Sequence, residues 1–278
     1  MVLKGLLVVL GGFLFIFSSG VPMRLISRFK PDYRREGLYW GIGIWILAFF
    51  ISTFLQNLAR QFLEGSGTPA AEQPAGIAGY LAGTLVTTLL MQAGMVIYLR
   101  KRQKKEEDII SAGLALGFGI GLVAQVFTGL ILITSGAGVL LQGAGVELTL
   151  GAVQAPLIQL IASETAFALA AALVALVLFR IALLTVNAVQ GYMVARSVKG
   201  KKKWFWTAIL VFAVFSWIIF AVQYAVGSSS PGQVSLGITP PFISIITSIY
   251  YLAAAVLVYR WLHNQLYDES MNNKKKKK

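Results

Sequence analysis

The sequence predicts an all-α, polytopic integral membrane bundle of about seven transmembrane helices, with its N-terminus outside and its C-terminus cytoplasmic. Three observations predict it. First, the 278 residues are 57% hydrophobic and only 13% charged, with a mean hydropathy of +0.73, against roughly 45–50% apolar and about 25% charged in soluble domains. A water-soluble fold of this length lacks the polar side chains to clothe its surface. A soluble enzyme, a disordered chain and a secreted disulfide scaffold are therefore excluded. Second, apolar runs of spanning length recur, rich in Leu, Ala, Val, Ile and Gly, and none alternates with period two as the strands of an outer-membrane barrel do. Third, the bases collect in alternate connections between those runs.

The elements follow in order. Span 1 covers 6–23. Lys4 and the stretch Phe17-Ser18-Ser19-Gly20 give it a faint likeness to a signal peptide, but stronger positive charge follows the run at Arg24 and Arg28, as expected of an N-out helix. Span 2 covers 38–58, span 3 covers 77–99 and span 4 covers 109–134. Span 5 covers 157–184, and its continuation through Asn187, Gln190 and Tyr192 suggests a helix that projects past the inner leaflet or breaks near Asn187. Spans 6 and 7 cover 204–225 and 241–262. Residues 135–153 are apolar but broken by glycines, and a short re-entrant or interfacial piece is one reading of them. Residues 1–266 thus form a single transmembrane helical domain, and 267–278 a flexible basic tail.

Charge sets the orientation. Bases cluster after span 1 (Arg24, Arg28, Lys30, Arg34, Arg35) and after span 3 (Arg100, Lys101, Arg102, Lys104, Lys105). They cluster again before span 6 (Arg196, Lys199, Lys201, Lys202, Lys203) and after span 7 (Arg260 and the terminal lysines). Of the 24 Lys and Arg, only Lys4, Arg60 and Arg180 fall elsewhere. The positive-inside bias places these four groups in the cytoplasm. The net charge of +13 is then a topology signal, and no nucleic-acid partner is expected. A prokaryotic plasma membrane is the expected location.

Few residues inside the spans can carry chemistry. There is no Cys and one His, His263, at the inner surface. Glu164 is the one carboxylate within a span, about 10 Å along the helix from Leu157. It reads either as a proton, ion or metal site or as a neutral carboxyl bonded to Gln159, Gln125 or Gln92. Glu164, Gln125 and Gln92 make up the candidate intramembrane polar site. Arg180 lies about 24 Å further along and is expected to snorkel toward the cytoplasmic headgroups. Gly113, Gly117 and Gly121 share one face of span 4, and Gly79 and Gly83 one face of span 3, a spacing that lets helix backbones approach closely. The run Gly117–Gly121 superficially matches a phosphate-binding loop, but no strand precedes it. Lys274, Lys275, Lys276, Lys277 and Lys278 suit anionic lipid headgroups at the cytoplasmic face. No metal or cofactor is expected, since zinc hydrolysis needs about three ligands and usually a base.

Four places are similar to the YhfC family of intramembrane metalloproteases. Tyr33-Arg34-Arg35-Glu36-Gly37-Leu38-Tyr39-Trp40-Gly41 resembles the family's basic approach to its second helix. Leu81-Ala82-Gly83 resembles the lead-in to a Glu-Glu-x-x-Arg motif. Gly117-Phe118-Gly119-Ile120-Gly121 resembles a Gly-x-Gly-His-Gly stretch, and Glu164 with Ala168 and Ala172 a helix opening on Glu with His eight residues on. Val86, Thr87, Leu90, Ile120, Ala124 or Gln125, and Ala172 stand where the family's functional residues would fall, and only Glu164 remains. The resemblance implies a degenerate member lacking metal and base.

The expected function is therefore a non-catalytic membrane partner, scaffold or substrate-binding subunit, with a second membrane protein or an oligomer as partner. A transporter or channel with Glu164 lining the path is the alternative, and an active metalloprotease with unorthodox ligands the second alternative. Because the chain has no native Cys, single-Cys labelling tests the topology. Ser229→Cys should react with an impermeant maleimide from outside and Lys104→Cys only from inside; the reverse pattern would overturn the orientation.

Overall fold

The computed structural model describes residues 1–27, 35–64, 74–103, 108–146, 154–225, 248–250 and 252–265. Among these there is no strand. The helices are α1 (Val2–Phe17), α2 (Gly20–Ser27), α3 (Arg35–Glu64), α4 (Pro74–Gln103), α5 (Ile109–Gly143), α6 (Gln154–Ser163), α7 (Ala166–Val198) and α8 (Lys203–Ala225). Residues 248–250 and 252–265 are also helical. Among the described residues, four segments are long and apolar enough to cross a membrane: Glu36–Leu55, Ala82–Gln103, Ile109–Gly143 and Ala166–Val198. The described residues are thus helical, and by length and composition four of their segments suit a membrane. The tail 267–278, with Lys274 to Lys278, lies outside the described residues, as do 147–153 of the glycine-broken segment.

Local chemistry explains the helix limits. Asp108 caps α5, its carboxylate accepting from the Ile110 and Ser111 amides at 3.0 and 3.4 Å, which satisfies donors that have no partner in the first turn. Far from breaking up after Thr134, α5 continues to Gly143, where Gly145 adopts φ +82°. There the Val146 amide reaches back to the Leu141 carbonyl and the Gly145 amide to that of Gln142, the double closure of a Schellman turn. Gly200, at φ +98°, ends α7 the same way, with Lys201 bonded to Arg196 and Gly200 to Ser197. No break occurs near Asn187.

Two expected spans are interrupted. The first stops at Phe17, where the Ser18 and Ser19 hydroxyls donate to the Phe15 and Ile16 carbonyls at 2.8 and 2.9 Å, an alternative to the helix ladder open to serine. The fifth is broken at residues 164–165, between α6 and α7. Glu164 therefore does not lie inside a continuous helix as its sequence position suggested.

The chain divides into two compact units, and α5 and α7 contribute residues to both. Unit 1 comprises residues 1–29, 124–186 and 236–278. Its apolar core gathers Val8, Phe15, Leu132, Val139, Ile158, Ile161 and Leu169. Within it α1 lies against α5 at glycines: a Cβ on Gly12 would stand 2.8 Å from the Gly129 carbonyl oxygen, and one on Gly5 2.9 Å from that of Gly136.

Unit 2 comprises residues 30–123 and 187–235. Here α3 packs along α4 and α4 along α8. Gly113 and Gly117 of α5 meet α7, where a Cβ on Gly113 would lie 2.5 Å from the Gly191 carbonyl oxygen. A Cβ on Gly191 would overlap the Gly113 carbonyl, and one on Gly117 that of Asn187. On another face of α5, Gly119 meets the Leu38 carbonyl, and Gly41 of α3 meets that of Leu116. Gly121 is buried and Gly83 half-buried, while of Gly79 only its place in α4 is described.

Gly191→Ala should therefore force two backbones apart, at about 1–3 kcal/mol, whereas Gly43→Ala meets nothing within 4 Å and should be neutral or slightly stabilising. Unfolding in mixed detergent micelles measures both. Equal stability of the two variants would refute the close approach.

Candidate functional site

The break in the fifth expected span leaves two helix ends in unit 1 whose polar groups need partners. At its near side, α6 ends at Ser163 and its last carbonyls have no partner within the helix. Lys4, in the first turn of α1, donates from Nζ to the Ala162 carbonyl at 2.7 Å. The ammonium thus supplies a donor to the helix end and also opposes the partial negative charge gathered there. On the far side, Thr165 caps α7, its Oγ1 accepting from the Ala168 amide at 3.1 Å. Glu164 lies between these two helix ends and is half-buried. Carbonyls, amides, a carboxylate and an ammonium are thereby collected at one discontinuity, the kind of place where broken membrane helices hold ions or protons.

A second cluster in unit 1 surrounds the end of α1. Gln125 of α5 donates from Nε2 to the Phe15 carbonyl, and to the Ser18 hydroxyl at 2.8 Å. That amide is spent on α1 rather than on Glu164. Its Oε1 is buried without a hydrogen bond among the described residues. Nearby, Arg180 is only 7% exposed. Its Nη2 donates to the Thr128 hydroxyl at 3.2 Å, and its guanidinium lies 5.6 Å from the Phe15 ring and 5.4 Å from that of Phe179. The expected snorkelling is therefore corrected: the side chain folds inward, where a hydroxyl and two aromatic faces offset its desolvation.

Gln92 is placed differently. It belongs to unit 2, is fully buried, and neither amide atom has a hydrogen bond among the described residues. Gln190 is in the same condition in that unit, and so is the Asn187 side-chain oxygen. Of the three residues of the expected polar site, Glu164 and Gln125 thus fall in unit 1 and serve different clusters. No group of three His, Cys, Asp or Glu among the described residues is placed to hold a metal ion. His263 is exposed.

Sequence reading missed Lys4 as the partner of α6, because the two residues are 158 positions apart. It also missed the pair between Arg102 and Glu36, which joins the end of α4 to the start of α3 in unit 2. No family model, curated protein or solved structure matches this chain.

Gln125→Leu should lower the stability of the bundle by about 0.6–1.7 kcal/mol for each hydrogen bond lost. Reversible unfolding in micelles reads this, and a variant as stable as the parent would show that the bonds to Phe15 and Ser18 contribute nothing.

Proposed function

We propose that this chain is a non-catalytic seven-span protein of a plasma membrane, N-terminus outside and C-terminus cytoplasmic, acting as a partner, scaffold or substrate-binding subunit of a larger assembly. On this reading its likeness to YhfC-type proteases is that of a pseudoenzyme. The observation that supports it is what the interior is made of. Among the described residues the buried surfaces meet through backbone at Gly12, Gly113, Gly117 and Gly191, and the buried polar groups are chiefly amides and hydroxyls, with Arg180 a buried charge in unit 1. Such an interior is suited to holding helices together, and to holding a neighbour's helix by the same means. Gentle extraction from native membranes should yield the chain with a stoichiometric membrane-protein partner. A solitary protein with proteolytic turnover would overturn the reading.

One observation favours a second reading, transport: the helix discontinuity at Glu164 with the Lys4 ammonium at the preceding helix end. Here a proton or cation would pass by way of the Glu164 carboxylate. In proteoliposomes, Glu164→Gln should then reduce flux at least tenfold. Unchanged flux would remove this carboxylate from any transport path.

A further inference from the structure

One end of unit 2 gathers exposed bases, aromatic rings and apolar side chains. Its construction follows from the helix contacts. The start of α3 meets the end of α4, where Arg102 pairs with Glu36 and the Trp40 and Tyr98 rings stand 5.5 Å apart. The start of α3 also meets the start of α5, Gly37 lying against Ala112 and Ala115. The start of α5 meets the end of α7, Gly113 lying against Gly191 and Ala195. A short turn at residues 199–202 then leads from α7 into α8. Two helix ends and three helix starts are therefore gathered on one side.

Among the described residues the charges there are unbalanced. Arg100, Lys101, Lys199, Lys201, Lys202 and Lys203 are all exposed. The two described carboxylates at this end are already engaged: Glu36 with Arg102, and Asp108 with the first turn of α5. Arg102 itself lies over the Tyr98 ring at 5.3 Å and is not counted among the available bases. Just inside the charged rim, Tyr39, Trp40 and Trp206 are more than half exposed. Beyond them along α3 come exposed Ile46, Leu47, Phe50 and Phe54. Basic rim, amphipathic aromatic ring and apolar belt succeed one another in the order of a lipid leaflet: phosphate, glycerol level, acyl chain.

We infer that this end of unit 2 binds the phosphate groups of anionic phospholipids, with Lys201, Lys202 and Lys203 as its principal charges and Trp40 and Trp206 seated at the glycerol level. The residues of this surface are not the terminal lysines 274–278, and its assignment to the cytoplasmic leaflet rests on the proposed topology. Each base near a membrane surface strengthens binding by about fivefold, so removing three should weaken it on the order of a hundredfold.

The test uses the full chain in maltoside micelles, with thermal unfolding followed as dioleoyl phosphatidylglycerol is titrated in. The lipid should raise the unfolding temperature of the parent. Half-saturation should move about a hundredfold higher in the triple variant Lys201→Gln, Lys202→Gln, Lys203→Gln, and far less in a variant with Lys274 to Lys278 replaced by Gln. Because the three lysines are exposed, the triple variant should fold, and its unfolding temperature without lipid checks this. Equal stabilisation by phosphatidylcholine would overturn the inference, as would an unmoved midpoint in the triple variant. Stabilisation by inorganic phosphate at matching concentration would reassign the surface to a soluble anion and likewise overturn it. Labelling of Lys202→Cys from outside would refute the topology alone, since the lipid titration does not depend on sidedness.

Discussion

Unit 2 depends on one constraint: α5 and α7 approach until backbone touches backbone. At Gly113, Gly117 and Gly191 no Cβ can be fitted without striking a carbonyl of the facing helix. Lipid tails are as apolar as leucine, so helices in a bilayer gain nothing from hiding apolar side chains from one another. Their association rests instead on dispersion and on close polar contact, and glycine brings Cα–H groups within reach of the opposite carbonyls. Gly119 lies on a different face of the same helix and lets α3 approach equally closely. With α3 and α7 both drawn close to α5, the start of α3 is held where Glu36 pairs with Arg102 at the end of α4.

The same device organises unit 1, with a longer repeat. Gly5 and Gly12 of α1 are seven residues apart, as are Gly129 and Gly136 of α5, and the pairs oppose one another in antiparallel order. Seating α1 this closely has two chemical consequences. At one end Lys4 is carried to the last turn of α6. At the other, the frayed end of α1 at Phe15 and Ser18 comes to Gln125, which supplies the donor that the interrupted helix lacks. The packing seam thus decides which polar groups are satisfied and by whom.

The large-scale fold was legible because lipid imposes a composition. Apolar runs and helical backbone follow directly from the need to pair every amide internally, and α3, α4, α5 and α8 fall where those runs lie. The four-residue glycine spacing also pointed to Gly113 and Gly117. It was blind to Gly5, Gly12, Gly129 and Gly136, whose repeat is seven, and to Gly191, whose partner lies on another helix. The break at Glu164 carried no glycine or proline. Its only local sign was a run of three polar residues, Ser163-Glu164-Thr165, of which Thr165 is a natural N-cap. Arg180 was misjudged because side-chain length permits snorkelling, whereas the direction taken depends on where Thr128 and Phe15 lie.

Three bases stood outside the four topogenic groups: Lys4, Arg60 and Arg180. Two of them now have an explanation that does not involve orientation. Lys4 is used on the carbonyl end of α6, and Arg180 on a hydroxyl and two rings inside unit 1. The bases therefore divide into two populations with different physics. Arg100, Lys101, Lys199 and Lys201 to Lys203 at the end of unit 2 are exposed, screened by salt and additive, so single losses are tolerated. Lys4 and Arg180 of unit 1 are half-buried and buried and are engaged by particular groups, and removing either leaves a specific acceptor or cavity without its occupant. A positive-inside count treats every base alike, whereas Lys4 and Arg180 mark where charge is spent on internal structure.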